Sequence, residues 1–259
     1  MDVAASVLVG LVLAAFLAGW IDAVVGGGGL IQLPSLLIGL PGQEVASISG
    51  TNKLSSAAGT ATATATYLRK VSVDWRSALP LMACAWLGST LGAQLVQLMP
   101  RQVFTPVVLV VLLVVGSYTV RRPQLGLQHA LKHTGAAHHL RLAVIGAVIG
   151  VYDGFLGPGT GTFFVICLVA VLGYGFLQAS VLTKLANLTT NVAALTVLGL
   201  SGHVLWGLGG AMALANLSGG FLGARMAIRH GNGFVRKVFL LVVGLLAAKL
   251  GWDTLAMLR

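Results

Sequence analysis

The sequence predicts an all-α polytopic membrane protein built from two four-segment repeats. The repeats are inverted with respect to each other, and each opens with a broken or re-entrant helix. Three observations predict this. First, the 259-residue chain is 57% hydrophobic and only 8% charged, with a mean hydropathy of +0.93; a soluble surface needs far more charge. Second, apolar segments recur along the whole length. Third, residues recur without a gap at an offset of 131. Gly19/Gly150, Asp22/Asp153, Gly26/Gly157, Gly28/Gly159, Lys53/Lys184, Trp75/Trp206, Gly88/Gly219 and Gly92/Gly223 all match. Internal repeats of this kind characterise secondary transporters.

The first repeat, 1–122, holds apolar segments at Val3–Leu40, Val45–Leu68, Ala78–Leu98 and Val103–Val120. The second, 142–259, holds Leu142–Leu172, Leu177–Leu200, Leu208–Ile228 and Val238–Leu250. A span needs only about 20 residues, so the first member of each set is too long. Each is also interrupted, by Gly26–Gly29 in one repeat and by Gly157-Pro158-Gly159-Thr160-Gly161 in the other. Glycine and proline are costly inside a helix. Non-helical backbone at membrane depth survives only inside protein or along a cavity. Two half-helices meeting at a glycine loop are therefore expected in each repeat.

The N-terminus has Asp2, no basic residue before Lys53 and no small-residue cleavage site, so it reads as mature structure and not a secretory signal. Between the repeats, 123–141 reads as a polar, surface-exposed linker containing His129, His133, His138 and His139. A histidine pair at i, i+4 can bind metal, but no third ligand type accompanies it, and no metal or cofactor is expected. Cys84 and Cys167 read as small core hydrophobes. Gly88-x-x-x-Gly92 and Gly219-x-x-x-Gly223 read as close-packing helix contacts. Trp75 and Trp206 read as interfacial anchors, Glu44 and Asp74 as loop residues facing water, and His203 as interfacial.

The net charge of +10 does not point to nucleic acid, because the Lys and Arg residues sit in short loops. Their distribution instead reports orientation. Fourteen basic residues remain once Lys53 and Lys184 are set aside. If all eight segments cross, these split 9 to 5, with Arg69 and Lys70 opposite Arg225 and Arg229. If each broken segment is a hairpin returning to its own side, the second repeat inverts. Only Arg101, Lys249 and Arg259 then stand apart, a split of 11 to 3. The positive-inside rule prefers the second arrangement.

Four ionisable residues interrupt the apolar segments. A charge at bilayer depth costs roughly 2.5–3.5 kcal/mol on insertion scales, so Asp22, Lys53, Asp153 and Lys184 mark a functional centre. Lys53, Ser56 and Thr60 stand at i, i+3, i+7, and Lys184, Asn187 and Asn191 repeat that spacing, which places each set on one helix face. Thr51, Asn52 and Thr183 crowd the same turns. The half-helices after the breaks, near Gly27, Gly28, Gly159 and Thr160, would aim free N–H groups and the positive end of a dipole inward. Together these groups describe a binding site for a small anion. The aspartates have two open roles: neutralising the lysines when the site is empty, or carrying a coupling proton. They also admit structural ion pairs within each half, Asp22 with Lys53 and Asp153 with Lys184.

The stretch Gly19–Ile31, followed by Gly50-Thr51-Asn52-Lys53-Leu54, resembles the sulfite exporter TauE/SafE family of membrane permeases. Gly150–Gly161, Thr183–Asn187 and the Leu-Gly-Ala triplets at Leu91–Ala93 and Leu222–Ala224 resemble its second repeat. The resemblance covers nearly the whole chain. It implies a non-enzymatic, multi-pass transporter of the bacterial inner membrane that moves sulfite or an organosulfonate by alternating access. Proton or sodium coupling and a homodimer stay open. A passive anion channel, a cation transporter using the aspartates, and an intramembrane aspartyl protease built on Asp22 and Asp153 are the alternative readings.

Overall fold

The computed structural model describes residues 5–104, 106, 107, 110 and 131–257. Helix α1 covers Ala5–Val25, α2 Gly29–Gly39, α3 Val45–Leu68 and α4 Trp75–Val96. Helix α5 covers Gly135–Phe155, α6 Thr160–Ala170, α7 Phe176–Leu200 and α8 Trp206–Met257. The order long, short, long, long thus occurs twice, and no strand appears among the described residues. Most of Val103–Val120 and the linker residues 123–130 lie outside them. The last two expected segments run together as α8, which is broken at Gly231 with φ 68° and ψ −163°.

Both glycine breaks are present, but they do not divide their segments into two halves. α1 and α5 each have 21 residues, about 31 Å of helix, enough to cross a hydrocarbon core of roughly 30 Å. Only α2 and α6, with 11 residues each, are short. Gly26 and Gly157 hold φ of 83° and 86°, a conformation that L side chains resist. There α2 doubles back along α1: Gly28 packs on Ala18 and Asp22, and Gly39 packs on Val7 and Leu11. In the second half the Tyr152 ring meets Phe163 edge-on at 5.1 Å, and the Tyr152 hydroxyl donates to the Pro158 carbonyl.

The first helix of each half packs along a long helix of the other, α1 on α8 and α5 on α4, while α3 crosses α7 and α8. The small-xxx-small patterns make these contacts. A Cβ on Gly88 would run into the Ala147 carbonyl and the Val151 amide; one on Gly219 would run into the Phe16 carbonyl and the Trp20 amide. Those two pairs of partners differ by the same offset of 131. Without side chains at these glycines the backbones touch, and dispersion acts over their full length. Exposed apolar residues such as Leu13, Leu87, Val148 and Leu214 cover the outside, as lipid contact requires.

Both short helices end on a cation. Arg101 donates to the carbonyls of Leu37, Leu40 and Gln43 over 2.6–3.1 Å at the end of α2. Lys132 Nζ donates to the Ala170 carbonyl at 2.7 Å at the end of α6. These groups satisfy carbonyls that no further turn would use. Asp74 is exposed as expected and also caps α4, accepting from the Arg76 amide at 3.1 Å and the Ser77 hydroxyl at 2.7 Å. The Ser77 bond holds its carboxyl below the usual range.

The linker reading fails at its C-terminal end. α5 already starts at Gly135, so His138, His139 and Arg141 are helical. His138 is buried; its Nε2 lies 2.9 Å from the Tyr174 hydroxyl and 3.2 Å from the Ser77 hydroxyl. Its polar ring hid a residue that docks α5 on the turns flanking α4 and α7. Trp75 and Trp206, both exposed, open α4 and α8. Cys84 and Cys167 are free and half-buried.

Candidate functional site

The two lysines occupy equivalent places, each the ninth residue of its helix, α3 or α7. Each reaches the break of the opposite half. Lys53 Nζ donates to Asp153 Oδ2 at 2.6 Å, with both side chains no more than 6% exposed. Lys184 Nζ donates to Asp22 Oδ2 at 2.8 Å and also to the Asp22 backbone carbonyl. Ion pairs therefore exist, but they cross between the halves instead of forming within each half, the arrangement the sequence admitted as an alternative. Each lysine side chain reaches across to the break of the other repeat, and the carboxylate it meets there is the foreign one. Each aspartate carboxylate is taken by a lysine.

The breaks themselves touch. A Cβ on Gly26 would collide with Gly161, and one on Gly29 would stand 3.2 Å from the Gly157 carbonyl oxygen. The Thr162 amide donates to the Gly26 carbonyl at 3.0 Å. The open amides expected here are partly taken, because Leu30 N binds Gly27 O, Ile31 N binds Gly28 O, and Thr160 N binds Gly157 O. The Thr160 hydroxyl also turns back to Gly157 O at 2.8 Å. Short loops can close their own first turn in this way, which sequence spacing did not reveal. Gly27 lies against Ile21, Leu30 and Thr162, and Gly159 enters α6 at φ 78°.

The polar faces of α3 and α7 converge. Asn191 Nδ2 donates to Thr60 Oγ1 at 3.4 Å, and Asn187 lies against Gly161 with its side-chain oxygen, Oδ1, unpartnered among the described residues. Asn52 Oδ1 and Thr183 Oγ1, equivalent positions in the two repeats, are likewise buried and unpartnered there. An unmet hydrogen-bonding group in a dry interior costs about 1–3 kcal/mol, a cost a bound solute can remove. Ser56 is half-buried on the same face. Thr51 points elsewhere: its hydroxyl donates to Ser47 O at 2.7 Å and accepts the Leu205 amide at 3.0 Å, tying α3 to the turn before α8.

Two residues of this polar centre escaped the sequence reading. Gln32 and Asn216 are buried, with Asn216 Nδ2 donating to Gln32 Oε1 at 2.6 Å and Gln32 Nε2 to the Asn52 carbonyl at 3.4 Å. Gly19 and Gly59 leave the room Asn216 fills. The available signal was a lone carboxamide in each of two apolar segments. Neither has a polar counterpart in the other repeat, so repeat matching passed over both.

Set beside known proteins, the chain matches the model of a family described as Sulfite exporter TauE/SafE over residues 11–250. It is 34% identical to a probable membrane transporter protein, ORF9, of a Sinorhizobium species, over all of this chain and 97% of that one. It is 32% identical to a probable membrane transporter protein of Haemophilus influenzae, covering 98% of each. With the probable membrane transporter protein YfcA of Escherichia coli K12 it shares 32% identity over 93% of this chain and 88% of that one. No solved structure matches the chain.

Proposed function

The chain belongs to the sulfite exporter TauE/SafE family, and on that premise we propose that it is a secondary transporter carrying a small anion, sulfite or an organosulfonate, across the bacterial inner membrane by alternating access. The observation that carries this reading is the crossed pair of buried salt bridges at the two touching glycine breaks. In the state described, each ammonium is occupied by a carboxylate. An anion gains a lysine only when the partner aspartate lets go, and protonation of that aspartate is the simplest release. An empty pair is neutral. A pair with a protonated aspartate and a bound monovalent anion is also neutral. The low-dielectric interior then never holds an uncompensated charge, which would otherwise cost several kcal/mol. Asn52, Asn187, Asn191, Thr60 and Thr183 supply the remaining hydrogen bonds.

The inverted arrangement is part of this proposal. Three contacts support it. Arg69 and Lys70 share one cavity with Arg225 and Arg229. His203 Nε2 lies 3.6 Å from Glu44 Oε2. Lys132 holds the end of α6. With all eight segments crossing, each of these contacts would join opposite faces of the membrane.

The test is flux into liposomes of the purified protein with sulfite, thiosulfate, sulfate and short organosulfonates. A pH gradient should drive uphill movement of at least one of them, and a potassium diffusion potential alone should not. No flux of any of these anions would end the substrate reading. Flux indifferent to the pH gradient would end the proton reading and leave a passive path.

A further inference from the structure

A cavity of about 640 Å³ opens between the end of α3 and the middle of α8, outside the lysine–aspartate centre. Arg69 and Lys70 line it from the α3 end, and Arg225 and Arg229 from α8. Among the described residues no carboxylate lines it. Among the described residues none of the four cations has an ion-paired or hydrogen-bonded partner, in contrast to Arg101 and Lys132, whose cationic groups are spent on helix-end carbonyls. Arg225 lies over the Phe221 ring at 5.1 Å from its centroid. Phe221 and Leu222, 41% and 46% exposed, form an apolar wall beside the charges.

Loop charge that only fixes orientation can stand in water, scattered. Here four cations from segments about 155 residues apart in sequence converge on one concavity with an apolar wall. Like charges gathered this way repel until an anion sits among them. A free anion satisfies the charges but has no use for the exposed Phe221 and Leu222. An anionic phospholipid satisfies both, with its phosphate among the cations and its chains along the apolar wall. We infer that this cavity is a binding site for the headgroup of an anionic phospholipid. Arg225 and Arg229 stand one turn apart on α8, and Arg69 and Lys70 close the site from α3. The site is independent of the anion that the lysine–aspartate centre carries.

Native mass spectrometry of the detergent-purified, delipidated protein reads this directly. Phosphatidylglycerol should form discrete adducts and phosphatidylcholine should not. The Arg225→Gln/Arg229→Gln variant should weaken the phosphatidylglycerol adduct at least tenfold, and 10-fold molar excess of inorganic phosphate over lipid should not displace it. Lys70→Gln, at an exposed turn, should weaken it several-fold and serves as the readout if the double variant does not fold. Equal adducts with phosphatidylcholine, or unchanged phosphatidylglycerol binding in the variants, would overturn the site. Displacement by inorganic phosphate would reassign it to a free anion and overturn the lipid.

Discussion

Thr60 and Asn191 are 131 residues apart, the offset of the repeat, and they touch: Asn191 Nδ2 lies 3.4 Å from Thr60 Oγ1. A residue meets its own counterpart only where two halves exchange roles. The same exchange runs through the ion pairs, where Lys53 takes Asp153 and Lys184 takes Asp22. It also runs through the glycine contacts of Gly88 and Gly219. The predictions below follow from this exchange.

The crossed pairing is measurable. A double-mutant cycle between Lys53→Met and Asp153→Asn should show strong coupling in thermal unfolding, and one between Lys53→Met and Asp22→Asn should show little. Removing one partner of a buried pair typically costs about 3–5 kcal/mol, because a charge is left uncompensated, while removing both is far milder. The single Lys53→Met variant should therefore melt well below the double variant. Equal coupling in the two cycles would contradict the geometry.

Transport should separate from stability in the same variants. Lys53→Met/Asp153→Asn should fold and should fail to bind or move the anion, since no ammonium remains at that break. Lys53→Ala and Lys184→Ala should each abolish anion binding. Isothermal titration with the substrate identified in liposomes checks this. Intact anion binding in both alanine variants would remove the lysines from the site, and intact flux in both would favour cation transport through the aspartates.

The glycines divide into two groups. Gly88→Ala and Gly219→Ala place a methyl against the backbone of the neighbouring helix and should destabilise by ~1–3 kcal/mol, the usual cost of overpacking. Gly207 and Gly210 have open space around them; alanine there should be neutral or stabilising by up to ~1 kcal/mol through helix propensity. Melting temperatures of the four variants give the comparison, and similar values for all four would refute it.

Arg101 holds three carbonyls at the end of α2. Arg101→Lys keeps the charge but replaces a planar fork with one ammonium on a flexible stem. The loss should be about 1.5–3 kcal/mol, the scale of a hydrogen bond to a charged group. Hydrogen exchange should show the protection lost first at Leu40 and Gln43. An unchanged exchange pattern there would mean the cap is dispensable.

Much of the architecture was legible in the residues. Val45–Leu68 was bounded in the sequence where α3 begins and ends, because its flanks carry Pro41-Gly42 and Arg69-Lys70. The breaks were legible because glycine runs in an apolar segment have few other uses. His138 was misread because a polar ring in a polar stretch looks solvated until something packs over it. Gln32 and Asn216 were missed because they break the repeat.

By itself the sequence determined the helical class, the doubling, the breaks and the four charges, all of which depend on local hydropathy, backbone cost and spacing along one chain. Only the tertiary structure decided which lysine meets which aspartate, that Thr51 is spent on the turn before α8, and that cations at Arg69 and Arg225 share one cavity. Those outcomes depend on how two similar halves dock. Docking is set by glycine surfaces that let backbones touch across the repeats, and no spacing within one repeat encodes it.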